Sequence, residues 1–95
     1  MHLDLEFNGE VIYWRGPAPF FFVPVAPPEV AEIHSIAKQV TYGWGVIPAR
    51  VTIGATSFTT SLFPKDGGYL VPLKTVIRKA ESLSEGDCVR VRLEI

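Results

Sequence analysis

The chain closes on a strict alternation. Val89, Val91, Leu93 and Ile95 fall on one side, and Cys88, Arg90, Arg92 and Glu94 on the other. A period of two puts the aliphatics on a core and the charges in water, so this segment predicts a half-buried strand. The opening follows the same rule, with Leu3, Leu5 and Phe7 set against His2, Asp4 and Glu6. Asn8-Gly9 comes next. Both residues tolerate positive φ, which predicts a type I′ hairpin returning along Val11 to Trp14. The run from Arg15 to Pro19 breaks regular structure. Phe20 to Val23 is apolar on both sides and predicts a doubly covered strand stopped by Pro24.

Two stretches change period. Val30, Ile33, Ala37 and Val40 recur at helical spacing, which predicts a helix starting near Pro28, with Glu29 in its first turn. Tyr42-Gly-Trp-Gly45 ends it. Val46 to Ile53 reads as a strand, Gly54-Ala55 as a II′ turn into Thr56–Phe63, and Pro64 to Gly68 as a loop. Tyr69 to Val71 returns as a strand. Pro72 is expected to open a second helix with Leu73, Val76, Ile77 and Ala80 as its buried stripe. Gly86-Asp87 then predicts a structural turn, because Gly takes positive φ and Asp accepts backbone N–H groups.

A coarse repeat runs through this order. Phe22-Val23-Pro24 leads through a helix and Gly45 to Val46; Leu70-Val71-Pro72 leads through a helix and Gly86 to Val89. Such a repeat predicts two units that complete each other's core. A small split β-barrel with pseudo-two-fold symmetry follows, closed by one chain and needing no oligomer. Its length suits one domain covering residues 1–95.

Composition narrows the class. With 47% hydrophobic residues and a net charge of −1, disorder is not expected. The one cysteine, Cys88, excludes an internal disulfide and a Cys-based zinc cluster, and reads as a small filler on a strand. The first residues lack the features of a signal peptide, and no apolar run approaches the ~20 residues that span a bilayer. A cytoplasmic location is the expectation. Residues 1–40 carry a net −3 and residues 41–95 a net +2, a mild dipole rather than a basic stripe.

Three stretches carry a resemblance: Trp14 with Phe22-Val23 and the helix after them, VTIGATSFTTSLFP, and GGYLVPLKTVIRKAESLSEGDCVRV. From Leu3 to Leu93 the chain resembles a prokaryotic family of double-split β-barrels of unknown function, whose members are sometimes fused to a domain associated with bacteriocin protection. This implies a mostly β fold: a small closed or pseudo-closed double-split β-barrel of six or seven strands with two short helices. It implies no activity. VPLKTVIRKAESLSEGDCVRV is also similar to the swapped-hairpin barrels of AbrB-like regulators and MazE-like antitoxins, at Pro72, Arg78, Leu83, Gly86 and Asp87. Those proteins form their barrel from two short chains and bind DNA with basic residues on one surface.

Lys74, Arg78 and Lys79 are the best candidates for a binding surface. Lys74 and Arg78 are four apart and so share one helix face, where an anion or acidic partner would relieve their repulsion. Glu81 offers Arg78 a local partner instead, and a solvated face is the simpler reading. Arg90 and Arg92 would extend the patch or keep the last strand soluble. Trp44, between two glycines, is the candidate aromatic contact; Trp14, Tyr42 and Phe20 to Phe22 would line a pocket or fill the core.

Catalysis has less to stand on. Ser57, Thr59 and Ser61 share one face of their strand, but Lys65 is placed in a wet loop where it would not activate a serine. His2 and His34 have no carboxylate at ligand spacing. No phosphate loop, nucleophile elbow or zinc spacing occurs. The expectation is a non-catalytic binding or protein-interaction module without metal or cofactor. Its partner would be a protein or a small anionic ligand, and the alternative is weak DNA or RNA binding.

Overall fold

The computed structural model describes residues 3–15, 20–40 and 46–95. In chain order these form β1 (Asp4–Glu10), β2 (Ile12–Trp14), β3 (Phe20–Pro24), α1 (Pro27–Val40), β4 (Ile47–Ile53), β5 (Thr56–Lys65), β6 (Gly68–Leu73), α2 (Thr75–Ala80) and β7 (Cys88–Glu94). The strands pair antiparallel in the order β1-β7-β4-β5-β6-β3-β2 and curl into a half-barrel. The fold is mostly β with two helices, as the alternation implied. Its two edge strands, β1 and β2, are consecutive in the chain and meet at Val11. None of the described helices is long and apolar enough to cross a membrane.

Alternation builds the core directly. Ile47, Ala49, Val51 and Ile53 of β4 face inward with Val91 and Leu93 of β7 and with Leu5 and Phe7 of β1. From the helical layer Ile33 of α1 is fully enclosed and Ile77 of α2 nearly so. Among the described residues the buried side chains are apolar apart from the Tyr69 phenol, so the interior is held chiefly by apolar contact. At the outer end of the β1–β7 ladder, Leu3 and Ile95 exchange both backbone hydrogen bonds, at 3.0 and 2.9 Å.

The repeat is written into the register. Phe22, Val23 and Pro24 lie opposite Pro72, Val71 and Leu70, so the two motifs pair about Val23 and Val71. The strand that follows each helix, β4 or β7, pairs with its counterpart, with Val51 opposite Leu93. β5 binds β4 as far as Leu62 and β6 from Phe63 onward. In the first unit that task is divided: β1 binds β7 and β2 binds β3. Burial sets the phase of the second halves. Ile47 corresponds to Val89 and Val51 to Leu93, one residue out of step with a match of Val46 to Val89.

Four local expectations are corrected. Asn8-Gly9 is not a turn; both residues continue β1, paired with Arg90 and Val89. Gly9 does not take a positive φ. Its inward position lies against β3, where a Cβ would stand 2.5 Å from Val23 Cγ1 and 3.2 Å from the Pro24 carbonyl oxygen. Glycine serves close approach here, and the β7 ladder outweighs the local turn preference. Past it the chain crosses between sheets at Val11, whose N–H donates to the Asp87 carbonyl while its own carbonyl accepts from Gly86 N–H.

Pro64 to Gly68 is tighter than a loop. Strand pairing runs on to Lys65 opposite Gly68, and Asp66 and Gly67, at φ 51° and 80°, make the I′ turn. Gly54, by contrast, takes φ 59° with Ala55 outside the positive region, the II′ pattern. Pro72 does not open α2. It stays in β6 opposite Phe22, beyond the last β5 pairing at Leu70, where a missing N–H costs no ladder bond on that side. The helix is thereby only six residues long, and its expected stripe reduces to Ile77, since Val76 and Ala80 are exposed.

The fourth correction concerns Phe20 to Val23. β3 is paired on both sides, but only Val23 is buried. Nothing in the described chain covers its outer face.

Candidate aromatic groove

Period two decides which side chains meet on that outer face. From β3 come Phe20 and Phe22; Trp14 of β2 lies opposite Phe20, and Pro72 of β6 opposite Phe22. β5 adds Ser61, Phe63 and Lys65 from its outward positions. Phe22 is the hub. Its ring centroid lies 5.5 Å from Phe20, 6.5 Å from Trp14 and 6.4 Å from Phe63, the last two edge-on. These are favourable aromatic geometries. Between them opens a cavity of about 410 Å³, lined by Phe20, Phe22, Phe63, Pro72, Thr60, Ser61 and Lys74. Trp14 and Phe63 remain 42% and 47% exposed, large values for aromatic side chains.

Two lysines border this surface and differ in their surroundings. Lys65 Nζ sits 3.9 Å above the Trp14 ring centroid and 3.9 Å from Asp66 Oδ2. Lys74 precedes α2 at its N-cap, is exposed, and has no ion-pair partner among the described residues. No carboxylate lines the cavity.

The opposite face of the same strands is closed by cations. Tyr13 and Phe21 pack at 4.6 Å; the Arg78 guanidinium carbon lies 3.8 Å over Phe21, and that of Arg15 lies 5.3 Å over Tyr13. Arg78 Nε is buried with no hydrogen-bond partner among the described residues.

The expected basic patch is therefore split. Lys74 lines the groove beside Phe20 and Phe22, whereas Arg78 covers Phe21, and neighbouring residues on a strand point to opposite faces. Lys79 is exposed on α2. Trp44 lies outside the described residues, as do Tyr42 and His2. Arg90 and Arg92 do not extend a patch, because they pair with Glu6 at 3.1 Å and Asp4 at 3.7 Å across the β1–β7 ladder. Glu81 accepts from Thr56 Oγ1 beside the Gly54 turn rather than pairing with Arg78.

The remaining candidates have structural surroundings. Gly86 takes φ 92°, and Asp87 Oδ2 accepts the Ser84 N–H at 2.8 Å. Ser57 bonds Thr52 across the β4–β5 ladder. His34 is exposed and meets Tyr69 edge-on at 5.6 Å. Cys88 is exposed on β7. Phe63 and Lys65 are the site residues that sequence reasoning missed. Extending the outward series Ser57, Thr59, Ser61 by two further steps reaches both.

Residues 7–93 match the family described as domain of unknown function DUF1905. The chain belongs to that family. No curated protein matches it. The family has no assigned activity, so the match carries a shared β-domain and no reaction.

Proposed function

We propose that this DUF1905 protein is a non-catalytic binding module, and that its contact surface is the outer groove of β2, β3, β5 and β6. The observation that carries this reading is the open aromatic cluster itself. Trp14 and Phe63 stay in water beside a concave site although the core next to them excludes solvent. Concave, mainly apolar sites with a few polar groups at the margin are where ligands bind. The groups lining this one are a lysine and two hydroxyls, which supply hydrogen bonds and charge but no paired acid and base. On sequence grounds the module is placed in the cytoplasm, as a single domain that one chain completes.

Duplex DNA binding gains no support from this geometry. Arg90 and Arg92 are spent on β1 carboxylates and Arg78 on Phe21, which leaves Lys74 and Lys79 of the α2 region facing water. Phosphate-backbone binding draws on several such cations at once.

Two-dimensional amide NMR against a set of small organic fragments tests the reading. Shifts should cluster on Phe20, Phe22, Ser61, Phe63 and Lys74. Shifts centred elsewhere, or none at all, would refute it. Mixed-sequence duplex DNA titrated at physiological salt should leave the spectrum unchanged; saturable shifts there would restore the nucleic-acid alternative.

A further inference from the structure

The groove is apolar along its walls, and among the described residues the charged side chain that lines it is Lys74, which narrows what it would hold. Phe22, Phe63 and Pro72 offer a carbon surface, and no acidic side chain lines it. Lys65 already has the Trp14 indole and Asp66 beside it. Lys74 has neither a carboxylate partner nor a capping bond among the described residues, and its ammonium is free to meet a ligand. Resting on the binding-module reading above, we propose that the groove takes a small amphipathic anion: a flat apolar body against Phe22, Phe63 and Pro72, with a carboxylate, sulfonate or phosphate group held by Lys74.

Size and shape favour a small molecule over a polypeptide. A cavity of about 410 Å³ falls in the range of small-molecule sites. Peptide capture by strand addition would use the edge strand beside the groove, and β2 is only three residues long. The ring planes are also fixed edge-on to one another and Lys65 occupies one face of Trp14, which leaves no run of free ring faces for successive bases. A charge-assisted bond from an exposed lysine, added to apolar contact, gives selectivity for the anion while most of the affinity comes from the rings.

Two fluorescent probes separate the two parts of this proposal. 8-Anilinonaphthalene-1-sulfonate has a sulfonate on its rings, and N-phenyl-1-naphthylamine has the same rings without it. Lys74→Gln should weaken the sulfonate dye about fivefold to tenfold at low salt and move the neutral dye less than about twofold, the scale of one charge-assisted contact at a surface. Lys65→Gln should have the smaller effect on the sulfonate dye. Phe63→Ser should weaken both dyes. Both substitutions that define the site alter exposed residues, and an unchanged amide spectrum outside the groove verifies the fold.

If Lys74→Gln weakens both dyes equally or neither, while Phe63→Ser still weakens both, the anion preference is wrong and the groove stands. If neither dye binds, or both ignore Phe63→Ser, the groove itself is wrong and the binding-module reading falls with it.

Discussion

Val23 and Val71 face each other in the β3–β6 ladder, and neither is reached by solvent. They occupy the same place in the two units, so each is the other's partner across the pseudo-axis. Val23→Ala and Val71→Ala should each cost about 2 kcal/mol, from two lost methyl groups and a partly collapsed cavity. The double variant should cost less or more than the sum, since the two share one space. Urea denaturation of the four proteins measures the coupling, and strict additivity would separate the two sites.

Gly9→Ala should destabilise by about 1–3 kcal/mol, the range for forcing an extra carbon into a packed core. Its new Cβ meets Val23 at 2.5 Å, and Val23 has no room to retreat. Were Gly9 the positive-φ glycine of an exposed type I′ turn, the same change would also destabilise, but through backbone strain that no substitution at Val23 could relieve. Thermal melting distinguishes the two, because Val23→Ala in the same chain should recover part of the loss.

The contrast at Gly9 shows where the sequence was legible. Alternation located the strands and their inward sides because it is a local property with one period. Gly54-Ala55 was readable for the same reason, being a turn between two residues that pair directly, Ile53 and Thr56. Asn8-Gly9 has equally strong turn chemistry, yet its conformation is set by β7, some eighty residues away. Pro72 was misread likewise: proline suits a helix start or an edge position, and only the short β5–β6 ladder selects between them. The groove was half visible. Phe20 and Phe22 advertised an apolar face, but their run of apolar neighbours could not say whether that face was covered.

Ser82 should be improvable. It ends α2 at φ 53°, with Leu83 N–H reaching the Arg78 carbonyl at 2.8 Å and Ser82 N–H reaching that of Lys79 at 3.4 Å. That is a Schellman ending with serine at the left-handed position glycine usually fills. Ser82→Gly should raise stability by about 0.5–1 kcal/mol through relief of that strain. A lower midpoint in urea would show that the serine contributes more than its backbone conformation costs.

Tyr69 gives the fold an alkaline limit. Burial holds its phenol above the ordinary 10.0, so the unfolded chain gives up that proton first. The folded state then binds more protons than the unfolded state above pH 10, and stability falls as pH rises past that value, while below it the contribution is intact. Tyr69→Phe should flatten the fall of stability above about pH 10 relative to wild type. Equal slopes in the two proteins would remove Tyr69 as the cause.

The paired backbone bonds of Leu3 and Ile95 give the barrel a direction of weakness. A pull applied at these two residues opens the β1–β7 ladder from its end, loading one narrow hydrogen-bonded pair at a time rather than shearing the whole ladder together. The same ladder bears ion pairs in series, Arg92 with Asp4 and then Arg90 with Glu6. Under tension the molecule would behave as a zipper that yields at low force, with Val11 and its contacts to Gly86 and Asp87 as the stop where peeling meets the second sheet.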